Sequence, residues 1–163
     1  LRRRARFSYD RQGGEGGVKT IDFDDSRWPL ITIRYAAQVD ERDFDQLLAL
    51  LDQNIQRTVR MRQKTAVIYD SRSGWSAPPA IRKKQADWMK KHADITRTNC
   101  VAIAFVMNSA VVRGVLTAVL WLSDMPTAYR VVGTVSEAEE WCAEQYAAHG
   151  LSMPTRSATA RIG

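Results

Sequence analysis

The stretch TAVIYDSRSGWSAPP, residues 65–79, decides the fold. Its first six residues form a continuous apolar run that closes on an acid, the pattern of a strand buried on both faces of a sheet. The character then changes. Asp70, three serines, Gly74, Trp75 and two prolines make a polar, punctuated loop, and proline suits the first turn of the helix that follows. The stretch therefore predicts a central strand, a long loop and a helix, with Asp70 delivered to the carboxyl edge of the sheet.

Working outward, "VKTIDFD" and "WPLITIRY" read as two short strands joined by a tight turn at the polar Asp25-Ser26-Arg27. Phe44, Leu47, Leu48, Leu51, Ile55 and Val59 then recur at helical spacing, which predicts an amphipathic helix near 43–59 with Asp40 and Asp43 approximating a cap. Beyond the opening loop, Ile81, Gln85, Trp88, His92 and Ile95 share one stripe of a second helix over 79–97. Arg82, Lys83, Lys84, Lys90 and Lys91 occupy much of its remaining surface.

"CVAIAFVMN" is a second buried strand. "SAVVRGVLTAVLWLSD" follows as a helix near 110–123, apolar nearly all round and so expected to be more buried than the first two. Gly114 lowers its helix propensity, which implies close packing on the sheet. "TAYRVVG" is a last short strand. Ser136 and Glu139 then form a capping box for a helix near 136–149 that turns Ala138, Trp141, Cys142 and Tyr146 inward and stops at Gly150. The order β-β-α-β-α-β-α-β-α predicts an α/β fold: a mixed, mostly parallel sheet of about five strands with four helices.

A chain of 163 residues, 45% of them hydrophobic, is long and apolar enough for one domain with one core. The longest apolar runs, Val101–Met107 and Val111–Leu122, are flanked or interrupted by Asn108, Ser109, Arg113 and Gly114, short of the roughly 18–20 residues of a membrane span. Cys100 and Cys142 have no second Cys or His at ligand spacing, which fits buried thiols in a reducing cytoplasm and gives no support to a metal site. No cofactor is expected.

The net charge of +6 suggests an acidic partner until it is located along the chain. Five arginines against Asp10 and Glu15 give residues 1–17 a charge of +3, and Arg156 and Arg161 give residues 151–163 a charge of +2. That leaves +1 for residues 18–150, which are expected to form the domain and, being nearly neutral, not to bind nucleic acid tightly. Residues 1–17, a basic run followed by a glycine-rich linker, read as a disordered arm, and 151–163 as a flexible tail.

The element order, with VIYDSRSG leading from the third strand to the second helix and SEAEEW opening the last one, resembles the STAS domain over about residues 18–149. Within it the chain is most similar to the SpoIIAA-like group, related to bacterial anti-sigma-factor antagonists and akin to lipid-binding CRAL-TRIO-type folds. The resemblance implies a signalling role: a loop hydroxyl that a partner kinase phosphorylates, and an anti-sigma-like regulatory protein as partner. The matching positions are Asp70, Ser71, Ser73 and Gly74, with Arg72 standing as one extra residue and Trp75–Pro79 lengthening the loop.

Read from the residues alone, Ser71 or Ser73 with Asp70 and His92 would satisfy a nucleophile–base–acid list, but there is no Gly-x-Ser-x-Gly elbow and His92 lies on an apolar stripe. A non-catalytic domain is expected. Two readings stand: a regulatory protein-interaction domain whose surface is Asp70, Ser71, Arg72, Ser73, Gly74, Trp75 and the basic second helix, and a carrier or sensor of an apolar small molecule or lipid, with a pocket among Trp75, Trp88 and Trp121.

Overall fold

The computed structural model describes residues 20–74, 77–121 and 124–153, and of residues 115 and 118–121 the backbone only. Ten elements follow one another: β1 (Ile21–Arg27), β2 (Leu30–Tyr35), α1 (Glu41–Met61), β3 (Thr65–Asp70), α2 (Pro79–Lys91), α3 (Ala93–Asn99), β4 (Cys100–Val106), α4 (Ala110–Trp121), β5 (Tyr129–Val132) and α5 (Val135–Ala148). The sheet has the order β1-β2-β3-β4-β5. The first pair is antiparallel and the other three are parallel. The fold is α/β, with the mixed, mostly parallel sheet that the alternation predicts.

Side chains on successive strand residues point to opposite faces, so each central strand feeds two layers. On one face Leu30, Ala66, Ile68, Ala102, Ala104 and Val106 pack against Ala138, Trp141, Cys142 and Tyr146 of α5. On the other, Ile31, Ile33, Tyr35, Val67 and Ile103 pack against Phe44, Leu47 and Leu51 of α1 and Ile81 of α2. Each of those large side chains, fully buried, contributes about 1.5–3 kcal/mol. The division follows from the topology: crossovers of one hand that advance one strand at a time place their helices on one face, and the terminal α5 covers the other.

Several boundaries differ from the sequence reading, each for a local reason. Asp25, Ser26 and Arg27 belong to β1, and the hairpin turns instead at Trp28-Pro29, joined by a cis peptide bond, with Trp28 N–H donating to the Asp25 carbonyl at 2.9 Å. The second helix breaks at His92 (φ −108°, ψ 11°) into α2 and α3, so the described residues form five helices rather than four. The capping box of α5 sits two residues earlier than expected: Thr134 Oγ1 accepts from Glu137 N–H at 3.2 Å, and Glu137 Oε2 accepts in turn from Thr134 N–H at 3.0 Å. On α1, Asp40 is the cap, as expected, whereas Asp43 turns away to accept from the backbone and hydroxyl of Thr20.

The largest departure is α4. Its apolar sequence predicts a helix more buried than the first two, yet Val111 and Val112 are 76% and 50% exposed, and a Cβ built on Gly114 would meet nothing within 4 Å. The helix lies beside the edge strand β5, so one flank alone has a sheet to cover. Packing also continues past residue 150, because Met153 lies partly buried against the α5 layer. Residues 1–19 and 154–163, which include the expected arm and most of the expected tail, lie outside the described residues.

Candidate functional site

β3 carries Asp70 to the carboxyl edge of the sheet, opposite Arg34 of β2 and Val106 of β4. Ser71 N–H extends the ladder by one bond, to the Val106 carbonyl at 2.9 Å. The chain then turns sharply. Gly74 N–H donates to the Ser71 carbonyl at 3.0 Å, and Gly74 adopts φ +83°, a left-handed conformation that glycine enters without strain.

The turn is clamped from within. Arg72 donates Nε to Asp70 Oδ1 at 2.9 Å and Nη2 to Oδ2 at 2.8 Å, a two-pronged pairing, while its backbone N–H reaches Oδ1 at 3.2 Å. Asp70 is buried, at 5% exposure. Burial alone would raise its pKa, but the Arg72 hydrogen bonds, with the charges of Arg72 and Arg34, outweigh it and hold the carboxyl below its ordinary value of 3.8. From the neighbouring loop Asn108 Nδ2 donates to the Arg72 carbonyl at 2.8 Å, tying the turn to the end of β4.

The consequence is that Asp70 and Arg72 face each other, leaving the serines outward. Ser73 is exposed and Ser71 half-buried, and neither hydroxyl makes a hydrogen bond among the described residues. Trp75, expected to anchor the surface, lies outside the described residues together with Ser76, as does the Trp121 side chain. No pocket formed by Trp75, Trp88 and Trp121 together is therefore described.

Beyond the loop, α2 opens at Pro78-Pro79 with no side-chain cap. Its position is set by an acidic row on α1. Lys84 pairs with Glu41 and Asp45 at 2.8 and 2.7 Å, and Asp52 accepts from Trp88 Nε1 at 2.7 Å and lies 3.2 Å from His92 Nε2. Lys83 pairs with Asp87 within the helix. Arg82, Lys90 and Lys91 are exposed and form no ion pair with the described residues, so the outward face of α2 stays cationic.

The nucleophile–base–acid list is not assembled into a relay. The His92 ring lies against Trp88, with Nδ1 2.9 Å from the Trp88 carbonyl and Nε2 beside Asp52, while Asp70 is held by Arg72. No group of three or more metal-ligating side chains occurs among the described residues, nor any helix long and apolar enough to cross a membrane. Cys100 and Cys142 are buried free thiols, as their surroundings in the sequence imply.

Two concavities are found among the described residues. A polar one of about 400 Å³ lies between α4, β5 and α5, and several of its charged groups are engaged: Glu137 in the cap, Glu140 with the Ser136 hydroxyl, Arg113 with the Met107 and Asn108 carbonyls, Arg130 over Trp141. A narrower apolar one lies between α1, α2–α3 and the sheet and includes Trp88. Sequence reasoning missed Asn108 and Asp52 as positioning residues and Thr58 as a cavity residue. For Asp52 a signal existed, an acid one helical repeat beyond Asp45 on the flank that carries Glu41. No family model, curated protein or solved structure matches the chain.

Proposed function

We propose that this chain is a non-catalytic regulatory domain of the STAS type, similar to the SpoIIAA-like anti-sigma-factor antagonists. On this reading it binds another regulatory protein through the Ser71–Gly74 turn and the cationic face of α2. The observation that carries the reading is the Asp70–Arg72 clamp. It consumes the loop's own acid and base in holding a tight turn, so that the turn carries two unengaged hydroxyls ahead of α2, the helix whose outward face bears Arg82, Lys90 and Lys91.

A rigid turn next to a cationic helix suits recognition of an acidic protein surface, since charge complementarity steers encounter and a preformed loop needs little ordering on binding. A phosphoryl group on Ser71 or Ser73 would add about −1.5 to −2 charges at that point. With Arg72 already neutralised by Asp70, the added charge would offset the α2 cations and repel an acidic partner, which is the physical content of an off switch.

The test is quantitative capture from the source cell with the full chain, Ser73→Asp, and Lys90→Glu/Lys91→Glu. Both variants should keep the native circular dichroism while losing at least tenfold of one captured protein, and intact mass should reveal an 80 Da adduct on a fraction of the native chain. Identical capture by all three proteins would remove the interaction surface from this face.

A further inference from the structure

From the open edge of β5 we infer that the sheet accepts a sixth strand, and that this strand is residues 4–9 of the same chain. β5 is the last strand of the sheet and pairs on one side. Ile103 N–H donates to the Ala128 carbonyl and Met107 N–H to the Val132 carbonyl, each at 3.0 Å, which fixes the alternation. Arg130 and Val132 direct their backbone groups to β4, and Tyr129 and Val131 direct theirs away from it. The N–H and C=O of Val131 have no partner among the described residues. An edge with unpaired donors and acceptors is a template for another extended chain.

The two edges of the sheet are not alike. β1 is blunted by Asp22 and Asp24 and by a register shift between Asp24 and Arg27. The β5 edge instead opens into the polar groove of about 400 Å³, where Val131 and Gly133 lie between Arg113 of α4 and Glu140 and Glu144 of α5. Elsewhere the domain's carboxylates are mostly neutralised: Asp22, Asp25, Asp45 and Glu139 each have an arginine or lysine partner at 2.7–3.1 Å. Glu140 and Glu144 are exposed, one helical turn apart, and form no ion pair with the described residues. Arg113 and Glu137 offset each other at the start of α5, which leaves these two carboxylates against the one guanidinium of Arg130. The wall beside the edge is therefore acidic.

The chain carries a segment that matches both features. Residues 4–9, RARFSY, alternate polar with apolar, the period of a strand with two unlike faces. Val132 packs in the α5 layer and Arg130 lies over Trp141, whereas Tyr129 packs in the opposite layer. Laid along β5, the segment can turn Arg4 and Arg6 to the side of Glu140 and Glu144 while Ala5, Phe7 and Tyr9 join the side of Tyr129. A second copy suits the edge less well, since two-fold pairing would set one acidic row against the other. Length permits the connection. Thr20 stands at the carboxyl edge, where its carbonyl accepts from Ala36 N–H. From there β5 is four strand spacings away, about 19 Å, and residues 10–19 extend to about 33 Å.

Amide hydrogen exchange of the full chain, read by NMR at Val131, tests the inference. The Val131 amide should exchange roughly tenfold or more slowly in the native chain than in Arg4→Glu/Arg6→Glu. Glu140→Lys/Glu144→Lys should lose the same protection, and the combined charge reversal should restore it. The Ile68 amide of β3 should keep its rate in every variant, which reports an intact sheet. Three results overturn the inference: equal exchange at Val131 in the native chain and Arg4→Glu/Arg6→Glu; a loss in folded protein that the combined reversal leaves unrestored; or protection that falls on dilution, which assigns the edge to a second copy.

Discussion

At the scale of single residues, Asp70 determines how the candidate surface behaves with pH. Its folded-state pKa is depressed, so its contribution to stability is complete above the unfolded carboxylate value and fades as pH falls through the lower folded value. Asp70→Asn should therefore cost about 1 kcal/mol at pH 7, a value held down because Arg72 is 44% exposed and partly screened by water. Urea midpoints at pH 7 and pH 3 should show the gap between wild type and variant narrowing at the lower pH. An unchanged gap would mean that the carboxylate charge contributes nothing to the clamp.

At the scale of elements, α5 against β3 and β4 is the most extensive helix–sheet contact among the described residues, and small side chains on the strands make room for it. Ala66, Ala102 and Ala104, all fully buried, let the α5 backbone approach closely enough for Trp141 and Tyr146 to lie across the sheet, with Tyr146 Oη reaching the Lys64 carbonyl at 3.3 Å. A larger side chain has nowhere to go. Ala104→Leu should destabilise the domain by about 1–3 kcal/mol, read as a lower melting temperature with native secondary structure retained below the transition. The α4 helix is the opposite case. Val111 and Val112, at its start, meet no such wall and stay exposed.

At the scale of the whole molecule, one sheet separates two layers that each enclose a thiol. Cys100 lies in the α1–α2 layer and Cys142 in the α5 layer, and burial pushes their pKa values up to about 11 and about 12. Thiolate is the reactive form, so both should be inert to a thiol reagent such as DTNB at pH 8 in the native protein. Both should then react at a common rate set by global unfolding, which mass analysis of partly labelled protein would show as mostly unlabelled and doubly labelled chains. An accumulating singly labelled species would reveal that one layer opens before the other.

What the sequence by itself determined is the alternation of elements and the edge to which Asp70 is delivered. Apolar period and length distinguish β3 and β4 from α1 and α5, and these are local properties that survive into any packing. The inward stripe of α5, and most of that of α1, were legible for the same reason. Only the tertiary structure decided that Val111 and Val112 of α4 would be exposed, that Thr58 rather than Val59 would be buried, and that the Arg72 guanidinium would close on Asp70 beside its own amide. Each depends on what stands opposite: an edge strand too narrow to cover a helix, a cavity wall, a guanidinium two residues along a turn whose shape Gly74 sets. A one-dimensional pattern states which side chains prefer to be buried, and the number of faces available to bury them exists only once the sheet is assembled.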